Sequence, residues 1–182
     1  RQSLLRLREF YQAEIEVFCN PTKLDEMEKF SEIADTIIRI QVDSKLHIIT
    51  CKEAVELKII PNKFVAYYLA ILIEFYEKTG IDVTKSRFRK LGDKEKAFYA
   101  QVAFDFEVET TIGWLELVAC NYRSDYDLSS HAKKSNEKFE VMDNEEKVLP
   151  HVFEISMGID RSLYTILEHS LYEDKENERT VL

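Results

Sequence analysis

Glycine and proline are scarce, four and three in 182 residues. So few chain breakers exclude a loop-dominated protein and require long regular elements. Cysteine is scarce too. Cys19, Cys51 and Cys120 are odd in number, isolated and set in apolar surroundings. That excludes a disulfide scaffold and reads as buried free thiols in a reducing compartment, the cytoplasm. No Cys/His spacing suggests a zinc site. No apolar run reaches bilayer length; the longest, around 64–75, is cut by polar and aromatic tips. The start carries no signal-peptide pattern, and no internal repeat is evident. Positive charge is not in excess: the net charge of −9 argues against wrapping nucleic acid with the whole surface. Two local basic clusters remain, Arg87, Arg89, Lys90, Lys94 and Lys96, then Lys133, Lys134 and Lys138. For any one of these alone, a solvated surface charge is the plainer reading.

What is present is a 45% hydrophobic chain, long enough for one domain with a sizeable core. Residues 4–18 alternate as a long strand, with Leu5, Leu7, Tyr11, Ala13, Ile15 and Val17 on one face and Arg6, Arg8, Phe10, Gln12, Glu14 and Glu16 on the other. Pro21 ends it, and a helix is expected in the charged stretch to Glu32. Runs 36–42 and 46–49 read as a hairpin around Asp43-Ser44. Thr50 with Glu53 is a capping-box pattern for a short helix to about Leu57. Helical spacing over 62–79 ends at Gly80. Runs 98–109 and 112–120 predict two strands, 129–148 a polar loop, and Pro150–Met157 another strand. Gly158 opens a helix whose buried face is expected to carry Leu163, Ile166, Leu167 and Leu171. The acidic tail, 172–179, is expected in solvent.

The polar face of the first strand is the informative object. A solvent-facing strand normally carries mixed polar residues without consequence. Two arginines, a phenylalanine and two glutamates in a row also suit a long anionic ligand with an aromatic end and a cationic end. Phe10 to Glu14 covers about 13 Å at strand rise. Glu116 in Gly113-Trp114-Leu115-Glu116-Leu117, and Glu154 with Ser156 in Val152-Phe153-Glu154-Ile155-Ser156, place further carboxylates in apolar strands. Such groups are costly unless paired with a cation or metal. A structural ion pair explains either one; three such strands together are harder to explain that way. Arg161 serves equally as a surface charge or as a flat cation over a base.

These residues carry a family resemblance. The run from Arg1 to Phe10 with Ala13-Glu14-Ile15-Glu16 resembles the second half of motif 2 of class II glycyl-tRNA synthetases of the archaeal and eukaryotic type. Gly158-Ile159-Asp160-Arg161, with Tyr164-Thr165 and Glu168-His169, resembles motif 3. Gly113-Trp114-Leu115-Glu116-Leu117-Val118 and the run from Arg123 to His131 resemble the linking strand and loop. Motif 3 alone indicates only class II; the Ala-Glu-Ile-Glu and Arg-Ser-x-Tyr-Asp-Leu-Ser segments are specific to the glycine enzymes. The resemblance implies an α/β fold, a mainly antiparallel sheet flanked by helices with a helical and hairpin insertion. Residues 1–19 would be the motif 2 strand, 20–90 an insertion able to touch the tRNA acceptor end, and 91–182 the rest of the catalytic domain.

The implied activity is ATP-dependent joining of glycine to tRNA(Gly) through glycyl-adenylate, with Mg²⁺, in a homodimeric full-length enzyme. Phe10 and Arg161 would sandwich adenine. Arg6 would hold the γ-phosphate, with Leu7 lending backbone beside it. Glu116 would bind ATP through Mg²⁺, and Leu117 would lend backbone. Glu14 would accept the glycine ammonium. Glu154 and Ser156, with Ile155 between them, would close the amino-acid pocket. Arg123 would reach the carboxylate or α-phosphate. Some family features are not in this stretch: motif 1, the Phe-Arg-x-Glu segment with its α-phosphate arginine, and the anticodon-binding domain. Catalysis by these residues alone is therefore expected to be impaired. Leu91 and Phe98 replace histidines, Ile155 stands at a usual proline, and Asp160 at a common glycine. The competing function is a non-catalytic synthetase-like module that binds tRNA or another partner.

Overall fold

The computed structural model of the chain describes residues 10–181. The strands are β1 (Gln12–Cys19), β2 (Ile37–Val42), β3 (Lys45–Thr50), β4 (Ser86–Lys90), β5 (Val102–Thr110), β6 (Gly113–Ser124), β7 (Val141–Asp143), β8 (Glu146–Val148), β9 (His151–Gly158), β10 (Tyr172–Asp174) and β11 (Arg179–Val181). The α-helices are α1 (Phe30–Ile33), α2 (Cys51–Glu56), α3 (Lys63–Lys78), α4 (Tyr126–Ser135) and α5 (Ile159–Ser170). Seven strands form one sheet in the order β1-β9-β6-β5-β4-β2-β3. Every neighbouring pair is antiparallel except β2 with β4. The expected sheet flanked by helices is what forms, and β2, β3 and β4, from within residues 20–90, extend that same sheet.

One face of the sheet carries the core. Phe64, Val65, Leu69, Leu72 and Tyr76 of α3 share it with Ile38, Ile40, Phe88, Phe104, Phe106 and Phe153. Tyr76 stacks on Phe106 at 5.1 Å, and Phe64 meets Phe153 edge-on. Local chemistry sets the helix starts. Thr50 accepts from the Glu53 amide while Glu53 accepts from Thr50, completing the capping box of α2. Asn62 caps α3 by accepting from Val65 N, and α3 ends before Gly80, whose φ of 97° favours a residue without Cβ.

Several sequence expectations are corrected. Residues 129–148 are not a plain loop: they complete α4 and then form the β7–β8 hairpin. Strand β5 begins at Val102 rather than 98, because Ala97–Ala100 closes a turn, and β6 runs on to Ser124. The tail lies in solvent as expected and folds there as the small β10–β11 hairpin. On α5 the leucines do not face inward; Leu163, Leu167 and Leu171 are exposed, and Ile166 is partly buried. Ser162 and Thr165 make the buried contact instead. The Ser162 hydroxyl lies 2.8 Å from Tyr76 OH and donates to the Gly158 carbonyl. The helix packs chiefly against β6, β5, β9 and β1, and it is the Ser162 and Thr165 side of it that is buried there. In β1, Tyr11 and Ile15 are exposed on the face expected to be apolar, as an edge strand permits. Residues 4–9 of that expected strand, with Arg6 and Leu7, lie outside the described residues.

Candidate functional site

The opposite face of the sheet gathers the polar residues that the sequence singled out. In β1 and β9 the register sets Glu14 opposite Ser156, Glu16 opposite Glu154, and Gln12 opposite Gly158. In β6, Ala119 lies opposite Ser156 and Asn121 opposite Glu154. A register shift where β5 pairs with β6 aligns Phe106 with Val118 but Glu107 with Glu116. Leu117 is the extra residue and is buried beside Val118. It resets the alternation, so Glu116 and Trp114 share the face of Asp105 and Glu107. Simple alternation through β6 would have turned Glu116 into the core.

At one end of this face Arg161 approaches Glu116. Its guanidinium donates to the Glu116 carbonyl at 2.9 Å and lies 3.9 Å from the carboxylate. The chain enters β1 there: Tyr11 N donates to Asp160 at 2.7 Å, and Ile159 N donates to the Tyr11 carbonyl. These bonds tie the start of β1, next to exposed Phe10, to the first turn of α5. Leu117 and Ile155 project into the core, so only their backbones can serve a ligand on the polar face.

At the other end Arg123 is committed to protein partners. It donates two hydrogen bonds to Asp127, at 2.6 and 2.8 Å, and a third to Glu154. Its guanidinium lies 4.0 Å above the Tyr99 ring. The hydrogen bonds to Asp127, then that to Glu154, hold it firmly protonated against the burial that opposes charge. In this arrangement three of the five guanidinium N–H donors of Arg123 are engaged by Asp127 and Glu154. Gln12 donates to Glu14 at 2.9 Å and to the Ser156 hydroxyl.

The basic cluster of β4 is also internally paired. Arg87 and Arg89 both bind Glu107, Arg89 further binds Asp105 and Glu95, and Trp114 lies on Arg87 at 3.8 Å. Lys96 pairs with Asp93, and Lys90 donates to the Ile59 carbonyl. Burial, then repulsion from Glu116, pushes the Asp105 carboxyl up to about 6 against the pull of Arg89. The residues not foreseen are Gln12, Tyr99, Asp127, Asp105 and Glu107. The spacing of Arg123 and Asp127, four apart at a helix start, was a usable signal; Tyr99 and Asp105 offered none without the topology. An apolar cavity of about 460 Å³ between Phe18, Leu128, Phe139 and Val148 lies away from the carboxylates.

Glu116 is half exposed, and no group of three or more potential metal ligands occurs among the described residues.

No family model matches the chain. Curated relatives do. The chain is 33% identical to glycine–tRNA ligase of Methanococcus maripaludis over all of its length and 35% of the relative's. It is 41% identical to that of Archaeoglobus fulgidus over 78% of its length and 25% of the relative's. It is 40% identical to the mitochondrial glycine–tRNA ligase 1 of Saccharomyces cerevisiae over 78% of its length and 21% of the relative's. Among solved structures, Giardia lamblia prolyl-tRNA synthetase in complex with prolyl-adenylate superposes with a TM-score of 0.53 at 14% identity. That match covers 92% of this chain and 25% of the other, and shows the class II synthetase fold. The chain spans under half the length of the curated relatives it matches. Identities of this size over most of its residues make the chain similar to a stretch of the glycine–tRNA ligases.

Proposed function

We propose that the polar face of the sheet activates glycine with ATP to glycyl-adenylate and passes the glycyl group to the 3′ end of tRNA(Gly). The observation that carries this reading is the juxtaposition of Glu14, Ser156 and Glu154 at one end with Glu116 and Arg161 at the other. That is an ammonium site and a nucleotide site on one face. Phe10 and Arg161 would hold adenine between them, as aromatic and guanidinium planes do. Glu14 takes the ammonium. Glu116 would hold Mg²⁺, which supplies charge neutralisation for the phosphates. Arg6 and Leu7 would serve the γ-phosphate end.

The chemistry needs no protein nucleophile. A glycine carboxylate oxygen attacks the α-phosphorus, and the bond to pyrophosphate breaks. The terminal tRNA hydroxyl then attacks the glycyl carbonyl carbon, and AMP leaves with the bonding pair. The protein supplies position and a field fixed in advance. Arg123, locked to Glu154, walls the glycine end, where exclusion must do the selecting. A cavity that merely gains a methyl contact discriminates by only ~1–3 kcal/mol. The reading carries with it a homodimeric whole protein and a cytoplasmic setting, the latter in keeping with Cys51 and Cys120 as buried free thiols. No helix among the described residues is long and apolar enough to cross a membrane.

Calorimetric titration with non-hydrolysable glycyl- and alanyl-adenylate analogues tests the proposal. Glycyl preference, with Glu14→Gln weakening binding at least tenfold, is expected. Equal binding of the two analogues, or indifference to Glu14→Gln, would replace it with the reading of a non-catalytic binding module.

A further inference from the structure

Gln12 is not among the residues to which the resemblance gives a role, yet it touches both groups that face the ammonium. Its carboxamide nitrogen donates to Glu14 Oε1 at 2.9 Å and to Ser156 Oγ. A primary amide nitrogen carries two N–H donors, and both are used on this pair. Glu14 and Ser156 are direct cross-strand partners. A donor between them therefore occupies the point where an ammonium would satisfy both. The contact is not a core bond, because Gln12 and Glu14 are exposed on an edge strand. The residue opposite Gln12 is Gly158. The Arg161 side chain lies over it, its Cδ 3.5 Å from where a Cβ would stand.

We propose that the Gln12 carboxamide is a built-in placeholder for the substrate ammonium, filling the Glu14–Ser156 subsite in the free protein and giving way when glycine binds; this rests on the glycine-activating reading above. The amide is neutral, whereas an ammonium offers the same hydrogen bonds and adds a charge opposite to that of the Glu14 carboxylate. The exchange therefore runs toward a ligand with a primary ammonium. A ligand without that charge gains nothing by displacing Gln12. In the free protein the placeholder keeps Glu14 aimed along the face rather than into solvent. On binding, the carboxamide swings out to solvent, as its exposure on the edge strand allows.

A placeholder competes with the ligand, and this gives a sign that damage to the fold cannot imitate. In the whole protein, Gln12→Met and Gln12→Leu keep the bulk and remove the donors. Calorimetric titration with glycine, and with the glycyl-adenylate analogue, is expected to show both variants binding about 3- to 10-fold more tightly than wild type, the scale of one to two net hydrogen bonds. Unchanged affinity in both variants overturns the placeholder. Weaker affinity in both also overturns it, and makes Gln12 a ligand or a support for Glu14. Failure of the wild-type protein to bind the glycyl analogue overturns the glycine-activating reading and the placeholder together.

Discussion

Arg123 joins both ends of a charge problem. Glu154 is 8% exposed, and a carboxylate so buried is costly without a cation beside it. Arg123 supplies one, Asp127 balances the cation, and Tyr99 supports it from below. Arg123→Met removes the partner and leaves Glu154 buried alone, which is expected to cost about 3–5 kcal/mol. Urea denaturation measures the loss. Arg123→Lys is expected to recover only part of it, since an ammonium cannot make the two-pronged contact with Asp127. Asp105 gives a pH signature. Its folded-state value of about 6 lies above the ordinary carboxylate range. The folded protein therefore binds the proton more tightly than the unfolded chain. This contribution to stability is complete below about pH 4 and falls as pH rises through about 6. Two units correspond to about 3 kcal/mol as an upper limit. Relative to Asp105→Asn, the wild-type protein should lose stability between pH 4 and pH 7, as thermal unfolding across that range would show. A constant difference would mean that Arg89 offsets the burial of Asp105 completely.

Among the elements, those with a strong local signal were legible. The Thr50–Glu53 capping box, the hairpin about Asp43 and the α3 spacing up to Gly80 each rest on contacts within a few residues. Helix α5 was legible as a helix but not as a face. Its apolar stripe, Ile159, Leu163, Leu167 and Leu171, is turned outward among the described residues, because the side that carries Ser162 and Thr165 is the one buried against the sheet. Leu163→Gln and Leu167→Gln are therefore expected to cost under about 0.5 kcal/mol each in this chain, the usual range for surface changes. Buried leucines would cost several times more. Equilibrium unfolding of the two variants separates these outcomes. Helix α4 escaped notice because residues 126–135 carry no apolar period and none of them is buried.

For the whole molecule, the α/β class and the antiparallel sheet followed from strand alternation and the family motifs, and the site residues were named before their geometry. The pairing of those residues was not legible, because it depends on order in the sheet. That Glu14 faces Ser156 needs β9 beside β1; that Glu116 faces Glu107 needs the extra residue at Leu117. Neither is a property of a local stretch. The engagement of Arg123 likewise combines β6, α4, β9 and the turn before β5 in one contact. The sheet order has a consequence in time as well as in space. Strand β9 stands between β1 and β6, although nearly all of the described chain separates it from β1. A ribosome adding about 5–20 residues per second therefore presents β1 for on the order of ten seconds before its sheet neighbour exists. During that interval Glu14 and Gln12 have no Ser156 to meet. On the glycine-activating proposal, an ammonium ligand is held only after β9 has slotted in between β1 and β6, so ligand capture reports that this face has folded.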